Sequence, residues 1–155
     1  MRHFVFLLAP LLAVTGAACA AGNDPEPPFQ QGVDLVVDGA PWLRTVTIPF
    51  DRQDPVSTYK VYTHVFDFEG TGAITKGPGG LYTHHRGMFI GWRDTVIGDA
   101  HFNTWGMEEC YQLHVAWLAF GTHGLWAFQQ EKIEWRDLRD APFIEEVRTI
   151  GATPT

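Results

Sequence analysis

The sequence predicts an all-β protein folded as an antiparallel β-sandwich. Several segments alternate apolar and polar residues with the two-residue period of a half-buried strand. Turn signals built from glycine, proline and aspartate separate these segments, and no stretch has a convincing helical period. Aromatic residues make up 14% of the chain, and its six tryptophans are spread along the whole length, which favours a core built between sheet faces.

The strands are assigned in order from these signals. Asp38 and Gly39 stand between two apolar runs and favour a hairpin turn with positive φ. A glycine-rich connection follows the third strand, loops are expected near Asp94 and Gly98, and a tight connection at residues 121–124 joins two later strands. The predicted strands are residues 33–37, 42–48, 59–68, 81–92 (extended around Gly87), 111–120, 125–135 and 143–150.

Residues 1–20 have the pattern of a bacterial export signal, with an apolar stretch that ends in small residues and cleavage favoured before Ala21. Residues 21–31 are expected to be a flexible leader, and residues 32–155 a single β-sandwich domain. The protein is therefore expected to be periplasmic or extracellular, with a lipoprotein attached through Cys19 as the alternative. No transmembrane segment is expected in the mature chain, because a span needs ~20 consecutive apolar residues.

Charge and cysteine content exclude several classes of function. Removal of residues 1–20 leaves ten basic and eighteen acidic residues, a net charge of about −8, with no basic stripe. Such a chain repels nucleic acid. Only Cys110 remains after cleavage, so an intramolecular disulfide is excluded.

Residues 75–92, TKGPGGLYTHHRGMFIGW, are the first candidate site, because two histidines, an arginine and a lysine stand among glycines and aromatic residues. In an extended strand, neighbouring residues point to opposite faces. We expect His84 and Arg86 to face the site, with Lys76 nearby, and His85 to be a buried, hydrogen-bonded supporter. A backbone kink at Gly87 would reverse the two histidines.

Residues 101–114 supply a second group of candidates. Alternation along residues 111–120 places Gln112 and His114 on one face, and Trp117 on the other. Glu109 is either a candidate general base whose pKa burial would raise or a solvated loop acid. Trp105 and, on an earlier strand, His64 are candidate binding residues. The histidine spacing matches no metal motif, so neither a metal site nor a specific cofactor is predicted.

The strings YKVYTHVFDFEG, ITKGPGGLYTHHRGMFIGW and FNTWGMEECYQLH resemble an exported bacterial family labelled methane oxygenase PmoA-like. The resemblance runs from about Val33 to the C-terminus. It implies a β-rich sandwich akin to those of sugar mutarotases. Because the family's members are longer, it also implies that this chain is the N-terminal part of a longer domain, an incomplete supersandwich. Methane oxidation is not predicted, because the chain lacks the apolar spans of a membrane monooxygenase.

The leading functional hypothesis is an exported carbohydrate-active enzyme that uses acid–base chemistry on a sugar or uronate, of epimerase, lyase or hydrolase type. One alternative is a non-catalytic carbohydrate-binding module, and another is a metal-dependent oxygenase-like sandwich. The expected catalytic residues are His84, Arg86, His114 and Glu109, and the expected substrate-binding residues are Lys76, His85, His64, Gln112 and Trp105.

Overall fold

The structure is a computed structural model that describes residues 32–154. The predicted export signal, Cys19 and the predicted leader lie outside the described residues. Within that part of the chain, eight strands and one short helix occur in the order β1 (Gly32–Val37), β2 (Ala40–Val46), α1 (Pro55–Thr58), β3 (Tyr62–Val65), β4 (Thr95–Ile97), β5 (Ala100–Phe102), β6 (Cys110–His123), β7 (Trp126–Asp137) and β8 (Pro142–Ala152).

The strands form two three-stranded antiparallel sheets and a small hairpin. The first sheet has the order β1-β2-β3, the second has the order β6-β7-β8, and β4 pairs with β5. The prediction of an all-β antiparallel fold is confirmed. No helix among residues 32–154 is long and apolar enough to cross a membrane.

Two apolar clusters hold the sheets together. In the first cluster, Leu43 and Val65 of the first sheet pack with Ala127 and Ile150 of the second. The second cluster joins residues of the segment before β3, such as Val61, to β6 and β7. Full burial of a side chain such as Leu43 stabilises the fold by roughly 1.5–3 kcal/mol. The sheets therefore pack face to face as a sandwich.

The predicted hairpins and long strands agree with the structure. Asp38 has a φ of 52° and Gly39 a φ of 82°, which is the positive-φ turn expected between β1 and β2. Gly124, with a φ of 61°, turns the chain between β6 and β7. The third predicted strand, residues 59–68, is shorter than expected, since β3 covers only Tyr62–Val65. Before it, the Asp54 side chain caps α1 by accepting a hydrogen bond from the Ser57 N–H.

The prediction that residues 81–92 are an extended strand is wrong. Their only sheet-like pairing among the described residues is an isolated bridge between Met88 and Thr63. Gly87 has a φ of +39°, and a Cβ atom there would lie 2.4 Å from the carbonyl oxygen of Thr63. The segment is an irregular loop because the backbone must kink at this close approach. The loop predicted near Asp94 leads into β4, and the loop predicted near Gly98 is the turn that joins β4 to β5.

Strand β6 departs from simple alternation at two bulges. Its register against β7 shifts between His114 and Ala116, and again between Trp117 and Ala119. His114 pairs with Ile133 and Trp117 pairs with Glu131, and these two β7 residues lie on the same face. The prediction that Trp117 lies on the face opposite His114 is therefore wrong, because one extra residue flips the side chains that follow it.

Candidate functional site

Aromatic rings and two histidines meet where the 81–92 loop approaches the loop between β5 and β6. The His84 and His85 rings lie 4.3 Å apart, Tyr82 stacks on His85 at 5.2 Å, and Trp105 lies 5.8 Å from His85 and 5.0 Å from Phe89, centroid to centroid. Tyr82 is 56% exposed and Trp105 is 43% exposed. We call this set the ring cluster; its members are Tyr82, His84, His85, Phe89 and Trp105.

Lys60 lies beneath the ring cluster and joins its two loops. The Nζ atom donates hydrogen bonds to the carbonyl oxygens of His84, at 3.2 Å, and Trp105, at 2.9 Å. It also lies 3.5 Å from the centroid of the Phe89 ring, which is a cation–π contact. Lys60 is almost fully buried, and burial, followed by the positive charge of Arg86, lowers its pKa from 10.5 to about 7.

The prediction that Arg86 faces the site is wrong. Its side chain is only 2% exposed, and its guanidinium donates hydrogen bonds to the carbonyl oxygens of Val56 in α1 and of Thr83. The guanidinium also lies 4.7 Å from the centroid of the Tyr59 ring. Arg86 therefore fastens α1 to the 81–92 loop. A buried arginine needs such partners, and these backbone acceptors supply them.

The charged groups around His84 make the ring cluster basic. Burial lowers the pKa of His84, and the positive charges of His85, Lys60, Lys76 and Arg86 lower it further. His84 therefore holds a neutral imidazole at pH 7, which can accept a proton. This basic surrounding contrasts with the formal net charge of −7 for the whole chain.

Three other predicted residues lie at the ring cluster. The prediction that His85 is buried is wrong, since its side chain is exposed between Tyr82 and Trp105. Lys76 is exposed, and its Nζ atom donates a hydrogen bond to the Tyr82 carbonyl oxygen. Trp105 supplies the largest ring surface of the cluster. The structure thus brings His84, His85, Lys76 and Trp105 together.

His114 lies on β6 and has a different set of neighbours. Its Nδ1 atom is 2.9 Å from Oε2 of Glu131, and its ring centroid is 4.7 Å from that of Trp117. Among the described residues, no hydrogen bond, ion pair or ring contact joins His114 to the ring cluster. Its partner Glu131 was not anticipated from the sequence, because an acidic residue on an amphipathic strand usually faces solvent.

Three predicted site residues have structural or solvent-exposed positions. Gln112 is fully buried rather than at a pocket rim, and its Oε1 accepts a hydrogen bond from the Val61 N–H. His64 is 8% exposed and lies 3.0 Å from the Thr75 hydroxyl, and burial lowers its pKa. Glu109 is exposed in the turn before β6, which agrees with the solvated-loop alternative and not with a buried general base.

Sequence reasoning missed Lys60 as a site residue. The available signal was a lysine on a strand face shared with Tyr62, His64 and Phe66. The aromatic side chains on this face are expected to be buried, so a lysine among them would lack its usual contact with solvent. Within residues 32–154, no three His, Cys, Asp or Glu side chains lie close enough together to hold a metal ion.

Comparison with protein families, with curated proteins and with solved structures places this geometry in context. No curated protein and no solved structure was found to be similar to the chain. One family model matches residues 32–155, which include every strand and every candidate site residue described above. The chain belongs to the family of unknown function DUF6807.

Proposed function

We propose that the chain is an exported, carbohydrate-active protein that binds an acidic saccharide on the ring cluster and moves a proton with His84. The observation that carries the proposal is the exposure of the Tyr82 and Trp105 rings beside a set of basic groups. The resemblance to the exported PmoA-like family supports it, because that family implies a sandwich akin to those of sugar mutarotases.

The exposed rings favour a saccharide ligand. Tyrosine and tryptophan offer rigid apolar faces together with an O–H or N–H group, so they can stack on the C–H face of a sugar and bond its hydroxyls. The basic groups favour an acidic one. Lys76 and Arg86 create a positive potential in an acidic chain, and Lys60 adds to it below about pH 7, where it is protonated. A carboxylate on the sugar complements that potential.

Neutral His84 is suited to remove the proton on C5 of a uronate, next to the carboxyl group. The C5–H bond breaks, the proton passes to the imidazole, and the electron pair moves onto the carboxylate. Lys76 stabilises the charge that develops there. Return of a proton from solvent to the opposite face of C5 gives the C5 epimer. If the electron pair instead forms a C4=C5 double bond, the C4 substituent leaves, takes the proton back from the His84 imidazolium, and an unsaturated product remains.

The composition of the ring cluster favours epimerase or lyase chemistry over hydrolysis. Most glycoside hydrolases place two carboxyl groups on either side of the scissile bond. The charged groups that act on His84 are all basic, and Glu109, the carboxylate expected as a candidate general base, is exposed in a turn. A second candidate function is a non-catalytic binding module. It is favoured by the exposure of Tyr82 and Trp105, which form a platform without requiring any chemistry.

Calorimetric titration with oligogalacturonate, and with a neutral oligosaccharide of the same length, tests the binding step. We expect preferential binding of the acidic ligand. Trp105→Ala should weaken it ~5–10-fold, because loss of one stacked ring costs about 1 kcal/mol. Trp92→Ala is a matched control, since Trp92 is also exposed and lies outside the ring cluster. Equal binding of the acidic ligand by both variants would contradict the proposed location.

Loss of the C5–H signal, followed by proton NMR in heavy water, tests the chemical step for epimerase and lyase alike, because exchange and elimination both remove that signal. We expect the loss with the wild-type protein and its absence with His84→Gln, with binding retained. His101→Gln is the control, because His101 is exposed and pairs with Asp94 away from the ring cluster. Binding with an unchanged C5–H signal would support the non-catalytic alternative.

A further inference from the structure

The two bulges of β6 gather a row of rings on the sheet face that also carries Glu131. Trp117 pairs with Glu131 across the strands, and Phe120 pairs with Gln129. Both β7 residues share the face of Ile133, which pairs with His114. His114, Trp117 and Phe120 therefore lie in one row, although simple alternation would place Trp117 on the face opposite the other two. Bulges commonly re-aim side chains at functional sites.

The side chain of His114 is fixed by a buried carboxylate. Its Nδ1 atom lies 2.9 Å from Oε2 of Glu131, and the exposed fractions of the two side chains are 15% and 2%. A carboxylate oxygen accepts a hydrogen bond, so Nδ1 carries the hydrogen and donates it. The remaining ring nitrogen, Nε2, is then the group left to accept a hydrogen bond from a ligand. Carboxylate–histidine pairs of this kind orient the imidazole in many functional sites.

The rings beside His114 form a graded apolar surface that opens towards solvent. Trp117 lies 4.7 Å from His114 and 5.1 Å from Phe120, centroid to centroid. Trp117 is half-buried, whereas Phe120 is 43% exposed. Alternate side chains of β7 are buried along its whole length, whereas residues 115–123 of β6 are half-buried or exposed. A ligand could therefore stack on the rings and reach the imidazole at the buried end of the row.

Two buried amide atoms on the same face lack a protein partner. They are Nε2 of Gln112, two residues before His114, and Oε1 of Gln129, the partner of Phe120. An unpaired buried polar atom costs about 1–3 kcal/mol, and such atoms are rare enough that each calls for a partner such as a bound water or a ligand. Both ends of the row therefore contain buried polar groups, which an ordinary apolar core would not have.

We infer that the row His114, Trp117 and Phe120, supported by Glu131, is a second saccharide site that takes a neutral sugar ring. Stacking on Trp117 and Phe120 supplies the contact area, and His114 accepts a hydrogen bond from a sugar hydroxyl. The ring is neutral because Glu131 repels a carboxylate, while the nearest cation across the strands, Arg148, is already paired with both oxygens of Glu146. The inference does not depend on the proposed function, since its residues lie outside the ring cluster.

The test uses calorimetric and NMR titration of the full chain with cellotetraose as the neutral probe and tetragalacturonate as the acidic one. We expect cellotetraose to shift the Trp117 indole and His114 ring signals, and Phe120→Ala to weaken its binding ~5–10-fold. Leu118→Ala is the control, because Leu118 is equally exposed on the same strand but outside the row. If cellotetraose leaves both signals unmoved, or if the two variants bind it equally, the inference is overturned.

The role of Glu131 as a positioning residue has its own readout. Nitrogen-15 NMR reports which nitrogen of His114 carries the hydrogen. We expect the Nδ1–H form in the wild type and a mixture of the two forms in Glu131→Gln, with ~5-fold weaker binding of cellotetraose. An unchanged tautomer together with unchanged affinity would show that Glu131 does not orient His114. Failure of this site leaves the ring cluster untouched, because the acidic probe tests that cluster separately.

Discussion

Replacement of Lys60 by methionine should remove a specific dependence of stability on pH. Lys60 is 2% exposed and donates hydrogen bonds to the carbonyl oxygens of His84 and Trp105. Burial lowers its pKa from 10.5 to about 7, with a further contribution from the charge of Arg86. Methionine keeps the length and the apolar stem of the side chain but cannot titrate.

The sign of the effect follows from the number of bound protons. Between pH 7 and pH 10.5, lysine is protonated in the unfolded chain and largely neutral in the folded one. The free energy of unfolding therefore rises with pH, by at most ~1.4 kcal/mol per pH unit. Burial also raises the pKa of the Cys110 thiol from 9.0 to about 12, which lowers stability above pH 9. The clean window is pH 7 to 9, in which Lys60 contributes ~2 kcal/mol.

Urea unfolding followed by tryptophan fluorescence at pH 7, 8 and 9 measures the effect. We expect the wild-type chain to gain ~2 kcal/mol across this window relative to Lys60→Met. Lys132→Met is the control, because Lys132 lies on the outer side of β7, where a hydrogen bond to Glu145 raises its pKa. Parallel pH curves for wild type and Lys60→Met would refute the reasoning, since they would mean that Lys60 stays charged when folded.

Three further predictions concern the loop that carries the ring cluster. Gly87→Ala should destabilise the fold by at least ~2 kcal/mol in urea unfolding, because the new Cβ would clash with backbone at a positive φ. Gly98→Ala is the control and should cost only ~1 kcal/mol, because Gly98 has a positive φ but open space around it. Equal losses would contradict the close approach at Gly87. Arg86→Met should lower the free energy of unfolding by roughly 3 kcal/mol, because it leaves buried carbonyl oxygens unpaired. Arg139→Met, at an exposed arginine, should be nearly neutral. An Arg86→Met variant as stable as the wild type would overturn the assignment of Arg86 as a structural residue. Proton abstraction by His84 should persist down to pH 6.5, because its pKa is lowered, and a rate lost with a midpoint above pH 6.5 would exclude this base.

The long strands could be predicted from sequence because their pattern is local. The segment predicted at residues 125–135 is strand β7, Trp126–Asp137, whose burial alternates along its whole length. The turn at Asp38 and Gly39 was likewise determined by residue type. In both cases, neighbouring residues alone supply the signal that decides the structure.

The loop that holds the site could not be predicted in the same way. Residues 81–92 alternate enough to suggest a strand, yet the carbonyl oxygens of Thr83 and His84 are bonded by the side chains of Arg86 and Lys60 instead of by a neighbouring strand. Those contacts exist only after the fold has formed. The bulges in β6 were equally hidden, because a one-residue shift leaves no mark on composition and still exchanges the faces of Trp117 and its neighbours.

The most direct test of the central claim is a two-dimensional NMR titration of the tryptophan indole N–H signals with oligogalacturonate. The account predicts a saturable shift of the Trp105 signal, while the signal of buried Trp135, which donates to Glu146, stays in place. The neutral oligosaccharide should leave Trp105 unmoved. A Trp105 signal that does not respond to the acidic ligand, while other indoles do, would contradict the assignment of the ring cluster as the saccharide site.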